Sequence, residues 1–134
     1  MARETAHKYF ESIFEKRKNS KFPFPEGGDK KFRAHCLCTA DLAEKIASKT
    51  PYLNPEKAYV YGLLHDYGRI KDEFNGEGFH GTVGYHEMMK EGYPDIAKIC
   101  LSHCFYDEDI DLDNKPQSNE ILFEAKEIVQ TMTF

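Results

Sequence analysis

Gly62-Leu63-Leu64-His65-Asp66-Tyr67-Gly68-Arg69 is the stretch that decides how this chain is organised. An apolar, helix-like run stops at Gly68, and near its end an imidazole and a carboxylate stand side by side. Two such donors at a helix end can converge on one divalent cation. Nitrogen and oxygen ligands suit Zn, Fe, Mn, Ni, Co or Mg, so the pair does not select the metal. Alone, the dipeptide is no more than a polar helix end. Its weight comes from where the other histidines fall.

Upstream, Asn54-Pro55 starts the helix that carries the pair, with Asn54 as its cap and proline at the first helical position. Ala58, Tyr61, Leu64 and His65 lie on or near one face, and the helix is expected to run to about Tyr67 with Gly68 as its C-cap. Before it, residues 29–49 read as a helix capped by Asp29 and followed by the helix-ending Pro51. Phe32, His35, Thr39, Leu42, Ala43 and Ile46 share a stripe there, so His35 is expected to point with the apolar residues. Residues 3–18 place Ala6, Tyr9, Phe10, Ile13 and Phe14 on a core-facing side, with His7 a surface histidine. Phe22-Pro23-Phe24-Pro25 cannot continue a helix and forms a connector into Gly27-Gly28.

Downstream, residues 69–79 have no periodicity and read as a surface loop that follows the His-Asp pair and covers it. A fourth helix begins at His80 and ends near Gly92. Gly84, one turn after His80, lets a backbone or a ligand come close. Pro94 opens a fifth helix, in which Ile96, Ile99, Cys100 and His103 sit at i, i+3, i+4 and i+7. The acidic run 107–113 reads as a solvated loop, because it lacks the glycine and terminal glutamate of a calcium loop. Ser118 can cap a last helix with Ile121, Leu122, Ala125, Ile128 and Val129 facing in. No alternating strand pattern occurs. The expected fold is therefore all-α, a compact bundle of five to six helices.

At 134 residues the chain makes one domain with room for a core, residues 1–27 forming a helix and connector and 28–134 the core that would hold a metal site. Its net charge of −5 argues against a nucleic-acid duplex as partner, since phosphate neutralisation needs a basic surface. A small phosphorylated ligand held through a metal is compatible with that charge. Cys36, Cys38, Cys100 and Cys104 read as reduced, core-type residues, because Cys36-x-Cys38 is not a zinc-ribbon spacing. No stretch is apolar enough to span a bilayer and the N-terminus has no signal-peptide core, so the expectation is a cytoplasmic protein without a membrane partner.

His35, His65, His80 and His103 come from separate helices and are all expected to face inward, together with Asp66. Buried imidazoles need a hydrogen-bond partner or a metal, and a shared cation serves several at once.

In this the chain resembles the HD-domain superfamily of metal-dependent phosphohydrolases, in particular the small stand-alone members with an HD-I-G-K/R type signature. Here the signature reads His65-Asp66-Tyr67-Gly68-Arg69. The family's pattern is a His, then His-Asp, then a distal Asp, all on helices. His35 matches the first His, and His65 and Asp66 match the pair. His80-Gly81-x-x-Gly84-Tyr85 and Ile99-Cys100-Leu101-Ser102-His103 look like the positions at which some members bind a second metal. The likeness covers about residues 28–134. After His103 the only aspartates are Asp107, Asp109, Asp111 and Asp113, and the last helix offers Glu120, Glu124 and Glu127 instead. The distal position is left unassigned, and the core is expected to lack the pattern's C-terminal end.

The resemblance implies metal ligands His35, His65, Asp66, His80 and His103, binding one divalent ion or two. It implies hydrolysis of a phosphate ester, a nucleotide or a related small phosphorylated metabolite, by metal-activated water. His65, Asp66 and Arg69 are the expected catalytic residues, with Arg69 on the phosphate. Asp72 and Glu73 are candidates for a general base, and Lys71 for the mouth of the site. The alternatives are a metal- or nucleotide-binding module without turnover, and a helical interaction protein whose histidines are incidental.

Overall fold

The structure, a computed structural model, describes residues 1–103. Five helices run through them: α1 (Arg3–Lys18), α2 (Gly28–Ser48), α3 (Pro55–Leu64), α4 (His80–Lys90) and α5 (Pro94–Ser102). Two short 3₁₀ turns, Tyr67–Ile70 and Glu73–Asn75, lie between α3 and α4, and there is no strand among the described residues. The all-α expectation holds. Cys104, the acidic run 107–113 and the helix expected after Ser118 lie outside the described residues.

The boundaries follow from local chemistry. On α1, Ala6, Phe10 and Ile13 are fully buried at the spacing that puts side chains on one face. Asn54 caps α3 as expected, its side-chain oxygen accepting from the backbone N–H groups of Glu56 and Lys57, with Pro55 in the first turn. For α2, the N-cap is Gly27 rather than Asp29. Gly27 has a φ of +78°, a backbone that glycine adopts without penalty, and this places Asp29 inside the first turn.

α2 also faces differently from its expected stripe. Cys36, Ala40 and Ala47 are its buried residues, whereas Leu42 and Ile46 are 57% and 55% exposed. The cause is close packing against α3. A Cβ on Gly62 would lie 2.8 Å from the Ala40 Cα and 2.9 Å from the Thr39 carbonyl oxygen, so the helices touch along their smallest residues. His35 therefore sits at the rim of α2, not in its apolar face.

The end of α3 is shorter than expected. The helix stops at Leu64, His65 is its C-cap, and the chain tightens into the turn Tyr67–Ile70. Gly68 is not a C-cap. It is buried in that turn, where an added Cβ would meet the His80 carbonyl oxygen at 1.7 Å. Gly84, from the other side, brings α4 to within 3.1 Å of the Gly68 backbone nitrogen, measured from its own ideal Cβ position. Two glycines thus let the turn after the His-Asp pair lie against the start of α4. The core beneath comprises Phe10, Ile13, Leu63, Leu64, Tyr67, Met88, Ile96 and Leu101, all nearly inaccessible to solvent.

Residues 69–79 are more ordered than a plain surface loop. Asp72 is buried, and its carboxylate accepts from the backbone N–H groups of Phe74 and Asn75 and from the Asn75 side chain. Arg17, only 4% exposed, reaches it from α1 at 3.4 Å, and also donates to the carbonyl oxygens of Phe22 and Arg69 at 2.9 Å each. Its guanidinium lies 4.0 Å from the Phe24 ring centroid. One arginine therefore fastens helix, aromatic connector and loop together. Asp72 is engaged in that fastening, which removes it as a candidate general base.

Candidate metal centre

Five side chains from four parts of the chain meet at Asp66. His35 comes from α2, His65 and Asp66 from the end of α3, His80 from the first residue of α4, and His103 from the C-cap of α5. His35 Nε2 lies 3.0 Å from His65 Nε2 and 3.1 Å from Asp66 Oδ2, and His65 Nε2 is also 3.1 Å from that oxygen. The other carboxylate oxygen, Oδ1, is 2.9 Å from His103 Nε2 and 3.4 Å from His80 Nε2. The donors form two groups, His35-His65-Asp66 and Asp66-His80-His103, within each of which the ligand atoms lie within 4.8 Å of one another. Asp66 belongs to both.

The far side of each ring decides what the near side can do. His65 Nδ1 donates to the Gly62 carbonyl oxygen at 2.6 Å, and His103 Nδ1 to that of Ile99 at 3.3 Å. His80 Nδ1 donates to Glu73 Oε2 at 2.5 Å. A carbonyl or carboxylate oxygen only accepts here, so these three rings carry their proton on Nδ1 and present the Nε2 lone pair to Asp66. A lone pair facing a carboxylate oxygen at about 3 Å is a clash of acceptors unless something positive lies between them. A second proton or a metal cation would serve. Ligand atoms each about 2.1 Å from a common ion sit roughly 3 Å apart, which is the spacing seen. The residues present thus fit a divalent cation in either group.

Electrostatics point the same way. Burial disfavours the charged form of Asp66, but with the second proton on the rings the bonds from His103 and His65 outweigh it and hold the carboxyl far below the ordinary carboxylate range. Asp66 is therefore held as an anion. Burial also opposes charge on His65, yet its contact with Asp66 raises its pKa above the ordinary 6.5. Glu73 is likewise held low against its burial, chiefly by its bonds from the His80 side chain and backbone.

A family model for the HD domain matches residues 32–127 of this chain. The chain belongs to the HD-domain family. That superfamily is one of metal-dependent phosphohydrolases, and the His/Asp groups of this HD domain are of a kind that holds divalent metal. No curated protein and no solved structure gives a match.

In this HD domain the candidates from sequence have these places. His35, His65, Asp66, His80 and His103 converge, although His35 is half exposed at the rim, with 53% of its side chain accessible. Arg69 follows directly, in the 3₁₀ turn, its Nη1 3.6 Å from Glu73 Oε2. Lys71 is exposed and Asp72 is tied to Arg17. Cys36 and Cys100 are buried as expected, burial pushing the Cys100 thiol up to about 12, whereas Cys38 is exposed on the outer side of α2. What sequence reading missed is the role of Glu73. Its carboxylate accepts from both the Nδ1–H and the backbone N–H of His80 while pairing with Arg69, so it positions a neighbour's ring. Seven residues separate it from His80, a spacing that belongs to no periodic element and gives no signal.

Proposed function

We propose that this HD domain is a metal-dependent phosphohydrolase acting on a phosphate ester of a small molecule, a nucleotide or a related phosphorylated metabolite. The observation that carries this reading is the set of imidazole Nε2 atoms aimed at the two oxygens of one ionised carboxylate. His35, His65 and Asp66 would hold one divalent ion, and Asp66, His80 and His103 a second. When bound, such ions lower the pKa of water and withdraw charge from phosphoryl oxygens. The chain's own part is to fix the donors. The Gly62 and Ile99 carbonyls and Glu73 hold three rings in one tautomer, and Asp66 stays ionised between them. Arg69 stands next to the ligands with a planar fork suited to phosphate, and Glu73 keeps that fork from folding away. The acidic net charge and the small, recessed ligand cluster favour a small phosphorylated substrate over a nucleic-acid duplex. Cys36 and Cys38, which form no disulfide, suit a reducing, cytoplasmic setting, and no helix among the described residues is long and apolar enough to cross a membrane.

The test is metal content by mass spectrometry, followed by a phosphate-ester panel under Mn, Mg, Co and Ni. Hydrolysis is expected with at least one metal. His65→Ala or Asp66→Ala should abolish both metal retention and hydrolysis while leaving helical circular dichroism nearly intact. Retained metal with no hydrolysis of any ester would instead assign the chain a binding role. A metal-free protein whose melting temperature ignores divalent ions would reject both readings, since an ion binding only the native state must raise it.

A further inference from the structure

Phe74 is 87% exposed, although the backbone that carries it is among the best tethered in the loop. Asp72 accepts from the Phe74 N–H at 2.9 Å and from that of Asn75 at 3.3 Å. Buried Arg17 fixes Asp72, and the Asp72 N–H donates to Glu77 at 2.7 Å. On the neighbouring residue, Glu73 turns inward to His80. The turn therefore points one side chain at the ligand cluster and presents the next, an aromatic ring, to solvent. The ring is not isolated. The Arg69 guanidinium carbon lies 5.7 Å from its centroid, within cation–π range, while Arg69 Nη1 faces Glu73. A continuous line of contacts thus runs from Phe74 through Arg69 and Glu73 to His80 and Asp66. Tyr52, the other fully exposed aromatic among the described residues, precedes the N-terminus of α3, about 15 Å of helix away from His65.

We propose, resting on the phosphohydrolase reading above, that Phe74 and Arg69 form a platform for the non-reacting part of the substrate, and that this part is a flat aromatic ring system, the base of a nucleotide. Arg69 sits between the metal ligands and the ring, where one guanidinium can meet the phosphate with its fork and back the ring with its face. The exposed face of Phe74 is then the stacking surface. Stacking of this kind accepts any base, because every base has a π-face. The platform therefore selects nucleotides over aliphatic phosphate esters without selecting one base.

The test uses the full 134-residue chain, loaded with the metal that supports hydrolysis, and compares a nucleoside 5′-monophosphate with ribose 5-phosphate. Phe74→Ala should lower the ratio of kcat/KM for the nucleotide to that for ribose 5-phosphate roughly tenfold. The chain contains no tryptophan, so Phe74→Trp introduces a single indole that keeps the stacking face and reports on it. Its emission should be quenched by the nucleotide and not by ribose 5-phosphate. An unchanged ratio in Phe74→Ala, or equal quenching by both esters, overturns the proposal. So does a fall in sedimenting mass for Phe74→Ala, which would make the ring a contact between two copies of the chain. If the unaltered protein hydrolyses neither ester with any metal, the phosphohydrolase reading fails, and the quench alone then decides whether a base stacks on the ring.

Discussion

Asp66, buried, and Glu73, partly buried, are both carboxylates beside histidines, yet their surroundings give them different work. Asp66 meets imidazoles at Nε2, the nitrogen left without its proton, an arrangement in which a cation could be shared between them. Glu73 meets His80 at Nδ1, the nitrogen that keeps its proton, so it orients the ring instead. Metal-bound histidines are commonly backed in this way, and loss of the backing group costs about 10–100-fold in metal affinity. Glu73→Gln keeps the shape but weakens the acceptor. Isothermal titration of the variant should show one ion bound as tightly as before, and the other weakened by roughly tenfold or more. Two ions bound with unaltered affinity would mean that Glu73 is only a surface partner of Arg69.

At the scale of elements, the site depends on how closely the 3₁₀ turn after Asp66 lies against α4. Gly68 occupies the contact, and a methyl group there cannot coexist with the His80 carbonyl. Gly68→Ala is expected to destabilise the fold by about 3 kcal/mol, read from urea unfolding, because backbone on both sides must give way. It should weaken metal binding as well, by moving His80 away from Asp66. A variant with native stability would show that the turn and helix separate freely. The same contacts explain what could be read from the residues alone. Asn54-Pro55, the α1 stripe and the histidine order were legible, since capping, helical period and ligand chemistry each leave a local mark. The face of α2 was not. Leu42 and Ile46 are the larger apolar residues, but Gly62 draws α3 onto Ala40 and its neighbours, and only the partner helix reveals that choice. The turn at Gly68 was hidden for the same reason, because a glycine that ends a helix and one that admits a backbone look alike in sequence.

At the scale of the molecule, the protons on this cluster set how stability varies with pH, and a metal would compete with them for the same donors. His65 has its pKa raised above 6.5 in the folded, metal-free chain. A raised value means that its stabilisation is complete below pH 6.5 and is lost as pH climbs through the folded value. Asp66, Asp72 and Glu73 have lowered values, so their stabilisation is present above their ordinary 3.8 to 4.5 and is lost as acid reaches the folded values. The metal-free protein should therefore melt at a lower temperature at pH 8.5 than at pH 6.5. A divalent ion should reverse that fall, because deprotonated imidazoles bind it better. Calorimetry on chelator-treated and metal-loaded samples checks both, and a metal-free melting temperature that rises across this interval would contradict the assignment.

Because a single carboxylate belongs to both donor sets, their occupancies would be linked. A first ion would draw on the negative charge that a second would need, so two dications at this centre would repel each other across one carboxylate. An anion bridging the pair would relieve that repulsion. By reciprocity, whatever such an anion does to hold the second ion, the second ion does equally to hold the anion. A phosphate group would then act as the final ligand of the cluster as well as its guest, with full metallation and substrate capture as one cooperative event.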